Sequence, residues 1–209
     1  MNNLDLVSTL DEVATLAKVL RCCEAGRSQT LELAQRLIAH FGGVGRVIGA
    51  APADLAREVG EGLALELNEF HALLVRVLEH PLRDREVISS TQAAKAYVAA
   101  RLRALPREVF HVLFLDKRNR LIADERMNEG TVDHVPVYPR EVVRRALELS
   151  ASAVLLVHNH PSGDPNPSSA DITMTRQVMT ACRVLNIAVH DHLIVAGDDV
   201  ASLKGLGLM

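Results

Sequence analysis

Apolar residues recur at helical spacing along the first 80 positions of the chain. Val13, Ala14, Ala17 and Leu20 fit one helical face, and Leu33, Leu37 and Phe41 follow at four-residue steps behind Thr30, a candidate N-cap. Gly42-Gly43 closes that helix, Pro52 opens a short one, and Gly60-Glu61-Gly62 breaks it. Phe70, Leu73, Leu74 and Val77 share a further face, and Pro81 is expected to stop that helix. Residues 81–90 are charged and without apolar period, so they read as a linker. Beyond them the pattern changes. Ser90 or Thr91 is placed to cap a helix through Tyr97, Val98 and Leu102, which Pro106 ends. Val109 to Leu115 is a dense β-type run, Asp116 to Arg120 a hairpin turn, and Leu121 to Met127 a second strand. Gly130-Thr131 marks a turn and Val135 to Val137 a short strand. Pro139 suits the first turn of a helix with Val142, Val143, Ala146 and Leu147 as its buried stripe. Ala153 to Val157 is a short buried strand. A helix from Ser168 carries Ile172, Val178, Met179 and Cys182, and Ile187 to Val195 is a last strand before a turn at Gly197-Asp198-Asp199. Strands that first meander and then alternate with helices predict an α/β domain over 91–209, a mixed sheet flanked by helices. A small all-α domain over 1–80 precedes it.

Composition narrows the function classes. At 209 residues and 48% hydrophobic, the chain can bury a full core. Aromatics are only 3%, with no Trp, which leaves few stacking platforms for single-stranded nucleic acid. Net charge is -3, so no global basic field attracts polyanions. Residues 1–80 hold seven Lys and Arg against eleven Asp and Glu, a poor balance for binding phosphate. The cysteines, Cys22, Cys23 and Cys182, are odd in number and form no CxxC pair, which points to a reducing cytoplasm rather than a disulfide framework. The N-terminus has no basic segment followed by an apolar one, and no apolar run approaches a membrane span.

One stretch carries chemistry. His158-Asn159-His160-Pro161-Ser162-Gly163-Asp164-Pro165-Asn166-Pro167-Ser168-Ser169-Ala170-Asp171 follows the apolar strand. Histidines at i and i+2 on an extended chain project to the same side. Asp171 lies eleven positions after His160, across a segment of Pro, Gly and Ser that is built to turn. Two imidazoles and one carboxylate suffice to hold a divalent metal such as zinc and leave a position for water. The plainer alternative stays open. Ser168 and Asp171 also fit a helix capping box, and loop histidines often bond only to backbone.

The spacing His158-x-His160, seven residues, Ser168, two residues, Asp171 resembles the JAMM (MPN-type, JAB) metalloprotein motif. The surrounding HNHPSGDP segment, Arg107-Glu108-Val109-Phe110, Leu115-Asp116, Gly130-Thr131, Pro139-Arg140-Glu141 and Asp191-His192 resemble the RadC family of bacterial JAMM proteins, strongly over about residues 85–200. The resemblance implies an MPN/cytidine-deaminase-like α/β fold, one zinc per chain on His158, His160 and Asp171, and hydrolysis of an amide or isopeptide bond. It implies Glu108 as general base and Ser168 as donor to the oxyanion. A homodimer is one arrangement it allows. Zinc deaminases share the sheet, but their H-x-E and P-C-x-x-C pattern is absent. Residues 1–80 resemble the helix-hairpin-helix segment of RadC proteins through Leu20-Arg21, Gly26-Arg27-Ser28, Phe41-Gly42 and Gly60-x-Gly62. Glu66 stands where that pattern has a small Ala, and its usual lysine is missing, so the segment is expected to be degenerate with weak DNA affinity.

Two other functions stand beside the hydrolase. The first is a DNA-repair-associated DNA-binding protein or nuclease; the second is a non-catalytic scaffold that keeps the motif. Other side chains read as structural. Asp164 is a less natural ligand than Asp171 because of its short tether. His190-Asp191-His192 is a second His-x-His without a third ligand nearby in sequence, with Asp191 or His192 near the site. His111 reads as a satisfied core histidine, and Arg140 as a first-turn surface charge.

Overall fold

The computed structural model describes residues 3–23, 30–84, 91–129 and 137–209. The chain divides into two compact units, Met1–Leu74 and Val75–Met209. The first contains α1 (Asn3–Cys22), α2 (Thr30–Phe41), α3 (Val44–Ile48), α4 (Pro52–Val59) and the start of α5 (Glu61–Asp84). Leu16, Leu20, Leu37, Leu55 and Leu67 belong to its buried cluster; the apolar periods of α1 and α2 face inward as expected, except that Ala14 is exposed and Leu16 is buried beside Val13, Ala17 and Leu20. The short α3 directly after Gly42-Gly43 was not expected. Val44 N donates to Glu12 Oε2 at 3.1 Å there. Gly60 takes φ +82°, which lets α4 end and α5 begin within one residue.

Helix α5 corrects two expectations. Pro81 does not stop it, because the helix runs on to Asp84. Leu82, 1% exposed, is buried beyond the proline, and Arg83 Nη1 donates to Ile122 O at 3.1 Å, so tertiary contacts hold the last turn. The rest of the expected linker, residues 85–90, lies outside the described residues. The expected stripe of Phe70, Leu73, Leu74 and Val77 is exposed. The buried stripe is Ala64, Leu67, Val75 and Leu82, with Leu78 partly buried on the same helical face. Periodicity could not choose between two apolar faces on one helix.

The second unit holds α6 (Thr91–Leu102), β1 (Val109–Leu115), β2 (Leu121–Glu129), α7 (Pro139–Glu148), β3 (Ala153–Asn159), α8 (Ser169–Val184), β4 (Ala188–Ala196) and β5 (Asp199–Ser202). Among the described residues the strands form one five-stranded mixed sheet in the order β2-β1-β3-β4-β5. Only β3 and β4 are parallel, joined through the crossover helix α8; the other pairings are antiparallel. The expected strand at Val135–Val137 and the turn at Gly130-Thr131 fall largely outside the described residues. Strand β5 replaces part of the turn expected at Gly197-Asp198-Asp199. In α7, Val142 and Ala146 are buried as expected, whereas Leu147 is exposed. No helix among the described residues is long and apolar enough to cross a membrane.

Strands β1 and β3 are central and buried along their whole length, which accounts for their unbroken apolar sequences. Their alternate side chains fill two cores. Leu113, Leu115, Leu155 and Val157 pack on one face with α6 and the end of α5. Phe110, Val112, Phe114, Val154 and Leu156 pack on the other with α7 and α8. This parity decides where the chemistry lies. Glu108 continues the second series beyond Phe110, and His158 continues it beyond Leu156.

Candidate metal centre

The register pairs Phe110 with His158. Glu108, just before β1, and His158, near the end of β3, therefore come to the same end of the sheet on the α8 face. His160 follows where the chain leaves β3, its backbone N–H donating to Val195 O at 2.8 Å. Gly163, at φ +82°, turns the chain, and Ser168 starts α8. The capping box expected from Ser168-x-x-Asp171 is present. The Asp171 N–H donates to Ser168 Oγ at 3.1 Å, and the Ser168 N–H donates to Asp171 Oδ2 at 2.8 Å. Capping and site geometry thus coincide in one carboxylate, because the first helical turn fixes its direction.

The structure brings all of these side chains together. One donor atom from each of Glu108, His158, His160 and Asp171 lies within 4.8 Å of the others. His158 Nε2 is 2.9 Å from His160 Nε2, 3.3 Å from Asp171 Oδ1 and 4.0 Å from Glu108 Oε1. His160 Nε2 is 3.7 Å from Asp171 Oδ2. His158 is buried and the other three are partly open to solvent. This cluster could hold a metal ion.

The surroundings favour a cation at that point. Burial pushes His158 down to about 4, keeping it neutral. Burial would raise Asp171, but its hydrogen bond to His160 and the bonds from Ser168 hold it well below the usual carboxylate range. The hydrogen bond to Asp171 raises His160 despite its partial burial. His160 Nδ1 lies 2.7 Å from the carbonyl oxygen of Asp164, which can only accept. Nδ1 therefore carries the proton in the neutral ring, and the lone pair of Nε2 points into the cluster. Imidazole nitrogens and carboxylates are the donor set that suits zinc.

The family model described as a RadC-like JAB domain matches residues 88–208, more than half of the chain. The chain belongs to the RadC family. In this RadC-like chain the matched region contains the whole cluster, Glu108 and Asp171 included.

Other expected candidates fall elsewhere. The carboxylate of Asp164 accepts from the backbone N–H and side-chain amide of Asn166, at 3.0 and 2.7 Å, and does not join the cluster. His111 is buried against Asp124 on the opposite face, 2.7 Å from Nδ1 to Oδ1. Arg140 is exposed beside Glu141. Of the second His-x-His, His190 reaches Asn119 Oδ1, while His192 stands directly behind His158. Asp191 instead accepts from His192 N, Lys204 N and Ser202 Oγ, which ties down the β4–β5 end.

Two functional neighbours were not legible beforehand. Asn159, buried between the two histidines in sequence, accepts from Val109 N at 2.9 Å and donates to Arg107 O at 3.1 Å and Leu105 O at 3.3 Å. It clamps the segment that carries Glu108. Thr175, one turn beyond Asp171 on α8, contacts His192. The only signal for either was its closeness to motif residues. The register that gives each its partner is not written in local spacing.

Proposed function

We propose that this RadC-family chain is a zinc-dependent hydrolase of JAMM type that opens an amide bond, peptide or isopeptide. The observation that carries the reading is the convergence of Glu108, His158, His160 and Asp171 from three separate elements. His158, His160 and Asp171 would hold the ion. Zinc so held supplies Lewis acidity, bringing water toward ionisation at neutral pH and polarising a carbonyl. Glu108 arrives from the β1 side, the most distant of the measured partners of His158 Nε2 at 4.0 Å. That suits a base that takes the proton of the attacking water and returns it to the leaving amine. The Ser168 hydroxyl donates to Asp171 Oδ2 at 2.6 Å. In the reaction it would turn toward the developing oxyanion, and until then it holds Asp171 in place.

The test separates binding from chemistry. Purified protein should carry one zinc per chain by elemental analysis, and H158A and D171A should lose it. Glu108→Gln should keep the metal but lose roughly 10²–10⁴-fold in turnover on a fluorogenic peptide or isopeptide library. Undiminished turnover in Glu108→Gln would remove Glu108 from the mechanism. Absence of zinc from the wild type would remove the hydrolase reading itself. A nuclease or scaffold role has no comparable observation behind it.

A further inference from the structure

Behind His158 lies a chain of buried polar groups that the hydrolytic reaction does not use. His158 Nδ1 is 2.8 Å from His192 Nε2, His192 Nδ1 is 2.6 Å from Thr175 Oγ1, and Thr175 Oγ1 is 2.6 Å from the carbonyl oxygen of Asp171. His192 and Thr175 are wholly buried. Each contact needs one proton, and the chemistry fixes where each lies. A carbonyl oxygen only accepts, so the Thr175 hydroxyl donates to Asp171 O. Thr175 Oγ1 then accepts from His192 Nδ1–H. The neutral His192 ring is left with a bare Nε2, which accepts from His158 Nδ1–H. The neutral His158 ring is left with its lone pair on Nε2, 2.9 Å from His160 Nε2. Reversing any step sets two acceptors or two donors against each other among buried groups, at a cost of about 1–3 kcal/mol.

We infer that Thr175 and His192 are positioning residues that lock His158 in the tautomer whose Nε2 faces the ion, with the direction of the relay set by the backbone carbonyl of Asp171. This rests on the metal-binding reading above and deepens it. The relay starts at the backbone of one proposed ligand and ends at the side chain of another, so the placement of Asp171 and the protonation of His158 are a single arrangement. The Phe110 ring, stacked 6.4 Å from His158 and edge-on 5.7 Å from His192, helps to hold both rings in plane. A hydrogen-bond partner behind a metal-ligating histidine is commonly worth 10–100-fold in metal affinity.

Two measurements test it. Nitrogen-15 NMR of the metal-free protein should show His158 with its proton on Nδ1 and His192 likewise. In the near-isosteric Thr175→Val variant the His192 assignment should become mixed, and Thr175→Ser should restore it. Zinc competition against a chromogenic chelator should show roughly 10–100-fold weaker binding for Thr175→Val and near wild-type binding for Thr175→Ser. His158 protonated on Nε2 in the wild type would overturn the relay, as would a folded Thr175→Val with wild-type affinity and tautomers. A wild type that takes up no zinc would overturn the metal reading, and the tautomer measurement would still decide the relay.

Discussion

Asn159 shows how one side chain can matter to a site it does not enter. Strand alternation sends His158 toward α8 and sends Asn159 to the opposite face. There its amide makes three hydrogen bonds with backbone groups of Leu105, Arg107 and Val109, on either side of Glu108. Asn159 is 2% exposed, so truncation leaves backbone groups without partners and should cost about 1–3 kcal/mol. It should also free the approach to β1, and a base displaced by 1 Å can lose about 10²-fold in rate. On the proposed mechanism, Asn159→Ala should still bind zinc, unfold at lower denaturant, and turn over at least about tenfold more slowly. Slower turnover would not be explained by stability alone if it persists well below the unfolding transition. Unchanged turnover in a destabilised variant would make Asn159 a fold residue only. The histidine pair and the Ser168–Asp171 box were legible because each is a local spacing, two and three residues long. Asn159 and Thr175 were not, because their partners lie 50 and 17 positions away and depend on which elements pack together.

Between elements, the main polar tie outside the site is Asp124 on β2. Its carboxylate accepts from Tyr97 Oη at 2.7 Å and Arg101 Nε at 3.3 Å on α6, and lies 2.7 Å from His111 Nδ1 on β1. Burial raises its pKa, but the His111 bond and charge, with Tyr97 and Arg101, outweigh burial and leave it lowered. The unfolded chain binds this proton at about pH 3.9. A lowered folded value means that the tie contributes fully above that pH and is lost as pH falls through the folded value. Asp124→Asn, with one acceptor oxygen for these donors, should be less stable by about 1–3 kcal/mol at pH 7. The gap should narrow as pH drops below about 4, which urea titrations of both proteins at several pH values would measure. A gap independent of pH would mean that shape rather than charge holds the three elements. Element type was largely legible, since β1 and β3 are apolar runs that only a doubly covered sheet explains. Orientation was less so. Helix α5 offers two apolar faces, and Leu82 carries it past a proline that local rules treat as a stop.

Across the molecule, the proposed metal ties ligands from separate elements of one unit only. His158, His160 and Asp171 all lie in Val75–Met209, while Met1–Leu74 has its own buried cluster. A ligand that binds only the folded state stabilises it by RT ln(1 + [L]/Kd), about 4 kcal/mol at a thousandfold excess over Kd. For a unit of this size that should move the melting midpoint by roughly 10 °C or more. The sequence supplies a selective reporter. It has no Trp and two Tyr, Tyr97 and Tyr138, and both belong to the second unit. Tyr97 is buried with its hydroxyl on Asp124, so its ultraviolet signal should change when that unit opens. Chelation of the full chain is expected to lower the tyrosine-monitored transition, and readdition of zinc to restore it. The helical signal of Met1–Leu74 should melt at an unchanged temperature, which would split the far-ultraviolet transition in two. A tyrosine transition indifferent to chelator would mean that the converging side chains hold no ion in the folded state. The raised His160 would then be the cation that balances them, and stability would fall as pH rises through its folded pKa.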